Sequence, residues 1–222
     1  MKKVLALAAI LMMVAGGIAL ADVSLTPHNL STGGTFTYYT TDGTDQECVF
    51  CHTPHGASAV VPVVLWNRDV PAGPFVVYSS DTMDAVPDNP PVGVSMACLS
   101  CHDGTVAFDA LYNGPTAAIG NYDYDAAATP RLWTFAGGAN LGGAGPPTET
   151  GADLSDDHPV SILLNADPNI EPEANVVLAG LPIYANQVEC GSCHDPHDVT
   201  NPPFLRMSNA ASALCTTCHS DK

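Results

Sequence analysis

The chain has 222 residues and carries 23 acidic side chains against six Lys and Arg, a formal charge of −17. That balance excludes nucleic acid as a natural partner and disfavours close approach to anionic surfaces. A chain of this length ordinarily builds one or two domains around an apolar core, but long periodic segments are scarce here.

In chain order, the first segment reads as a secretory signal: Lys2 and Lys3, an apolar run from Val4 to about Leu20, then Ala19-Leu20-Ala21. Cleavage after Ala21 is expected, leaving residues 22–222 as one exported domain. Gly16 and Gly17 interrupt the run, which is short for a bilayer span of about 20 residues, so an uncleaved anchor is the weaker reading. Without Lys2 and Lys3, the cationic side chains are Arg68, Arg131, Arg206 and Lys222. Thr, Gly and Asp crowd residues 31–45, Pro and Asp recur through 71–93, and Ala, Gly and Pro dominate 114–152. These are loop compositions. Val60 to Trp66 and Phe75 to Tyr78 are candidate strands, and Ser208 is a candidate cap for a short helix from Asn209 towards His219. The expected fold is mostly irregular and loop-rich, with a few short helices, little strand, and well under half its residues in regular structure, against roughly 50–60% in ordinary domains. Something besides side chains must then fill much of the core.

All eight cysteines fall into four copies of C-x-x-C-H: Cys48/Cys51/His52, Cys98/Cys101/His102, Cys190/Cys193/His194 and Cys215/Cys218/His219. This is the c-type haem attachment pattern, in which two thiols form thioethers to the haem vinyl groups and the next His becomes the proximal iron ligand. Four disulfides would give no reason for a His after every second Cys. Zinc on paired C-x-x-C units is a second competitor. Four copies that consume every Cys behind a secretion signal favour four haem c groups over both.

Four histidines remain, His28, His55, His158 and His197, and four haems need four distal ligands. Met83, Met96 and Met207 are alternative sixth ligands, not required if every spare His is used. Bis-imidazole ligation lacks the upward shift in potential that an axial Met brings. His55 and His197 each lie three residues past a proximal His, in Cys51-His52-Thr53-Pro54-His55 and Cys193-His194-Asp195-Pro196-His197. Starting from the same side of the porphyrin, neither should close over its own haem. Each is expected to reach a neighbouring iron, with the intervening Pro directing it away. The short stretch between His194 and Cys215 argues for a tight pair of haems, whereas the long one from His102 to Cys190 leaves other distances open.

The phrases Cys48-Val49-Phe50-Cys51-His52-Thr53-Pro54-His55-Gly56-Ala57, Cys98 to Thr105, Leu154-Ser155-Asp156-Asp157-His158-Pro159-Val160, Cys190 to His197 and Cys215 to His219 resemble the multihaem cytochromes with doubled C-x-x-C-H motifs from metal-reducing bacteria. The likeness is greatest to the extracellular, filament-forming tetrahaem kind, the OmcE type. It covers islands of the chain and none of residues 114–152. It implies a loop-rich fold around a stacked haem chain, with subunits joined head to tail into a homo-polymer, an open array. In such filaments an N-terminal His can ligate a haem of the next subunit, which makes His28 a candidate for ligation in trans; folding back in cis is the alternative. The expected function is electron transfer in an extracellular filament, the alternatives being a monomeric periplasmic shuttle and, less favoured, a multihaem reductase. Catalysis is not expected, since no iron would lack a ligand. Redox proteins or extracellular acceptors are the expected partners.

Overall fold

The computed structural model describes residues 23–34, 45–71, 73–103, 111–113, 141 and 153–220. The signal segment 1–21 and nearly all of loop 114–152 lie outside the described residues. Among those described, regular structure is sparse, as the loop compositions anticipate. There are four short helices, α1 (Gly93–His102), α2 (Glu173–Leu178), α3 (Cys190–Cys193) and α4 (Ala213–Cys218), with 3-10 turns at Val23–Leu25, Leu164–Ala166 and Ala210–Ser212. Four strands of two residues pair as β1 (Val76–Val77) with β2 (Asp153–Leu154), parallel, and β3 (Ile162–Leu163) with β4 (Gln187–Val188), antiparallel. Such ladders fix register but are too short to stabilise a fold alone. No described helix is long and apolar enough to cross a membrane.

Two apolar clusters organise the described residues. The first joins Val61, Trp66 and Phe75 to Met96, Ala97 and Leu99 of α1; the second joins Ala85, Ile162, Leu164, Val176, Leu181 and Val188. Met96 lies in the first, while Met83 and Met207 pack against the second. All three methionines thus have packing roles.

α1 is buried on several faces, at Ser95, Met96, Ala97, Leu99 and Ser100. Its start is held by a distant carboxylate: Glu189 Oε2 accepts the Ser95 backbone N–H at 3.2 Å and the Ser161 hydroxyl at 3.1 Å. Satisfying an otherwise orphaned N-terminal donor is what a cap does, here from across the fold. Gly93 begins the helix at φ +58°, and a Cβ there would stand 2.7 Å from Glu189 Oε1. Glycine is required on both counts.

Of the candidate strands, Phe75 to Tyr78 yields only Val76–Val77. Val60 to Trp66 is a series of bends, and Leu65 at φ +56° reverses the chain in a way incompatible with a strand. Ser208 does accept the Ala210 N–H at 3.2 Å, and helical turns follow to Cys218, broken at Ala211 and Ser212 by positive φ. α1 and α2 were not anticipated, because Pro-rich flanks obscured both.

Candidate haem site

The first and third C-x-x-C-H motifs are built alike. In the first, the Cys51 carbonyl accepts the Asn67 N–H at 2.8 Å, the Leu65 carbonyl accepts the Thr53 N–H at 2.8 Å, and His52 bridges Trp66. In the third, the Cys193 carbonyl accepts the Arg206 N–H at 2.9 Å, the Phe204 carbonyl accepts the Asp195 N–H at 2.8 Å, and His194 bridges Leu205. Leu65 and Phe204 both have positive φ, +56° and +62°. Each motif is followed by a loop that reverses and returns as an extended segment against its proximal His.

That return segment also orients the imidazole. His52 Nδ1 lies 2.7 Å from the Val64 carbonyl and His194 Nδ1 lies 3.0 Å from the Pro203 carbonyl, the residue before the positive-φ position in both. A carbonyl only accepts, so Nδ1 carries the proton and the Nε2 lone pair is left free. This is the arrangement that orients metal-binding histidines. His158 Nδ1 is similarly placed, 2.9 Å from the Pro159 carbonyl.

Three ring pairs join motif histidines to spare ones. His28 and His102 have ring centres 6.1 Å apart, His52 and His197 6.2 Å, and His158 and His219 6.4 Å. An imidazole nitrogen binds a metal at about 2.0 Å and sits about 1.1 Å from its ring centre, so two imidazoles on opposite sides of one ion have centres roughly 6.2 Å apart. The spacing fits two axial ligands on one iron in each pair. The donor chemistry fits as well, since all eight cysteines are free thiols. Among the described residues, His55 and His194 are the two histidines for which no such ring pair is seen.

The second-position residues of the two units hold the distal arms. Asp195 Oδ1 lies 3.3 Å from His197 Nδ1 and accepts the His197 backbone N–H at 3.0 Å, while Asp195 Oδ2 meets Arg206 Nη1 at 3.0 Å. In the first unit Thr53 donates its hydroxyl to the His55 carbonyl at 2.9 Å, and Asn113 Nδ2 reaches the same carbonyl at 2.6 Å.

His28 sits among packed neighbours. Thr26, Asn29, Leu30 and Ser31 around it are buried, and Asn29 Nδ2 donates to the Ser24 carbonyl and to Glu47 Oε1. The ring tilts against Phe204 at 4.7 Å. Burial, then the neighbouring His102, lowers its pKa to about 4. His28 is therefore neutral near pH 7, the form a metal requires. Within one chain it already faces His102, so service to another subunit's haem would require this pair to open.

The motifs also cluster. The thiols of Cys98 and Cys190, of Cys51 and Cys101, and of Cys193 with Cys215 and Cys218 lie near enough to act on one another electrostatically. The long interval from His102 to Cys190 is closed by α1 meeting α3: Ser95 Oγ accepts the Cys190 N–H at 2.9 Å, beside the Glu189 cap. Asn67, Trp66, Arg68, Phe204, Arg206 and Glu189 all shape these sites, and sequence reasoning missed them. The Glu before Cys48 and before Cys190 was the one available signal.

Thiols in C-x-x-C-H pairs, with histidines of fixed tautomer facing second histidines at iron-bridging distance, are the site of a multihaem c-type cytochrome, a protein that holds haem c covalently. Residues 183–222, which contain the third and fourth motifs, match the family described as the doubled CXXCH motif, and that match supports the same class. No curated protein matches the chain.

Proposed function

We propose that the protein transfers electrons through four haem c groups, each held by one C-x-x-C-H motif and ligated by two histidines. The observation that carries this reading is the set of three His pairs at 6.1, 6.2 and 6.4 Å, each combining a motif His with a spare one. His28 and His102 would serve the second motif, His197 and His52 the first, and His158 and His219 the fourth. The repeat relation between the first and third motifs assigns the remaining two, His55 and His194, to the third. The first and third haems are then tied by reciprocal exchange of His197 and His55. Haem iron would supply the one-electron chemistry; the chain supplies imidazole Nε2 donors and close spacing of the motifs. With eight histidines for eight axial positions no iron is open, so a reductase activity is not part of the reading.

Support for export comes from the signal-like segment 1–21 and from the haem c motifs. The finer proposal is a subunit of an extracellular head-to-tail homo-polymer, resting on the resemblance to filament-forming cytochromes. One observation favours the competing periplasmic shuttle: His28 faces His102 within its own chain and leaves no ligand for a neighbour to supply. Intact mass with a pyridine haemochrome assay tests the core claim, which fails at fewer than four haems on matured protein. Negative-stain microscopy of the same sample separates filaments from monomers.

A further inference from the structure

We propose that Asp195 is a positioning residue that lowers the reduction potential of the first haem through its distal ligand His197, with Arg206 restraining that pull, an inference that rests on the haem assignment above. Asp195 lies in the run that follows the third motif, between His194 and His197, yet His197 faces His52 of the first motif with ring centres 6.2 Å apart. The third unit thus carries a carboxylate that bears on the first unit's haem. Asp195 Oδ1 accepts the His197 backbone N–H at 3.0 Å and stands 3.3 Å from the ring Nδ1. Oδ2 is held from the other side by Arg206 Nη1 at 3.0 Å, and Arg206 is itself anchored by Nε donating to the Gly191 carbonyl at 2.7 Å. Both carboxylate oxygens have a partner, which fixes the group against the ring.

The partner of Nδ1 sets how strongly an axial imidazole donates. With Nε2 on iron, Nδ1 carries the proton. A backbone carbonyl, which is what Nδ1 meets in His52, His194 and His158, fixes the ring and its tautomer. A carboxylate does more: it draws the Nδ1 proton towards itself, raises the basicity of Nε2 and so favours ferric over ferrous iron. In the first unit the position equivalent to Asp195 holds Thr53, whose hydroxyl is engaged by the His55 carbonyl at 2.9 Å. The reciprocal exchange of distal arms is therefore electronically unequal, and it biases an electron shared by the two tied haems away from the first. The side chains of His197 and Asp195 are 43% and 28% exposed, but a contact of 3.3 Å is far inside the screening length of about 8 Å at physiological salt. Direct contact carries the effect.

The test is a redox titration followed by paramagnetic resonance on the matured, haem-loaded protein as wild type, Asp195→Asn, Arg206→Gln and His197→Ala, each with its haem content and spin state recorded. The first haem's signal is the low-spin one that His197→Ala abolishes. Asp195→Asn keeps an acceptor for the His197 backbone N–H and should move the midpoint of that signal upward while the others stay in place. Arg206→Gln frees the carboxylate and should move the same midpoint downward. A fully loaded, low-spin Asp195→Asn protein with an unmoved first-haem midpoint overturns the proposal, as does an upward shift in Arg206→Gln. A high-spin haem in Asp195→Asn would give the carboxylate a structural role only and is equally fatal. If Asp195→Asn does not mature, Arg206→Gln decides, and an unmoved midpoint there sinks the idea. Too few haems in the wild type, or a His197→Ala protein whose haems all stay low-spin, would instead overturn the underlying assignment, so the two failures are distinct.

Discussion

The first and third haem motifs share a plan but are embedded differently. Each begins after a Glu, runs Cys-x-x-Cys-His-x-Pro-His, and is closed by a returning segment that fixes the proximal imidazole from a backbone carbonyl. In the first, the return segment is sealed inside: Asn67 and Arg68 are both 0% exposed. In the third, its counterpart Arg206 is half-buried and neutralised by Asp195. The two glutamates differ in the opposite sense. Glu189 is buried and caps α1 from afar, whereas Glu47 is half-buried and holds Asn29 of the segment bearing His28. Local geometry at a haem motif is thus set by backbone bonds that tolerate many side chains.

The sharpest break of this comparison is at the distal arms. His197→Ala removes the ring facing His52 and should turn one haem high-spin and open to carbon monoxide. His55→Ala should do the same to a different haem if the repeat relation holds, and the double variant should show two. A His55→Ala protein with an unaltered low-spin spectrum would falsify the exchange.

Next in size is the return segment. Asn67 Nδ2 donates to the Val49 carbonyl at 2.7 Å and Asn67 Oδ1 accepts the Asn113 N–H at 2.9 Å, so Asn67→Ala strands buried polar groups. It should cost about 2–3 kcal/mol in denaturant unfolding of the holoprotein. Arg206→Ala, losing a partly exposed ion pair, should cost about 1 kcal/mol or less. Equal losses would show that burial does not separate the two units.

The glutamates give a pH signature. Burial pushes the Glu189 pKa up despite its bonds from Ser95 and Ser161. Because the folded value is raised, the protonated form is the one the fold favours. That contribution is complete below the ordinary carboxylate range and fades as pH rises through the shifted pKa. Glu189→Gln should therefore flatten the decline in stability across that window while keeping the Ser95 cap. An unchanged pH profile in Glu189→Gln would place the titrating group elsewhere.

The smallest effect lies in the ring orientations. His52 and His197 are nearly parallel at 21°, while His28 and His102 stand at 84°. Parallel imidazoles split the iron d orbitals more than crossed ones. Paramagnetic resonance of the oxidised protein should accordingly contain one rhombic low-spin signal from the first motif and a more axial, large-g signal from the second. Identical signals would mean that the rings reorient.

The residues that carry the chemistry were legible along the chain because covalent attachment demands a fixed local spacing. Two sulfurs and an imidazole must meet one porphyrin edge, so the motifs stand out whatever the fold, and the lack of periodic segments announced a loop-rich chain. The local plan of the return segments was not legible. Leu65-Trp66-Asn67 and Phe204-Leu205-Arg206 share no side-chain pattern, only carbonyl and N–H positions, and their loops differ in length.

The sequence by itself determined which thiols and imidazoles are available and that spare histidines equal motif histidines in number. Only the tertiary structure decided which histidine faces which: His28 meets His102, His197 meets His52 and His158 meets His219 across long separations in sequence. It also decided that Cys98 adjoins Cys190 and that Arg68 is buried while Arg206 is not. The physical reason is that a motif's spacing is a local covalent constraint, whereas a pairing across the fold and the dielectric around a charge depend on every segment packed between them.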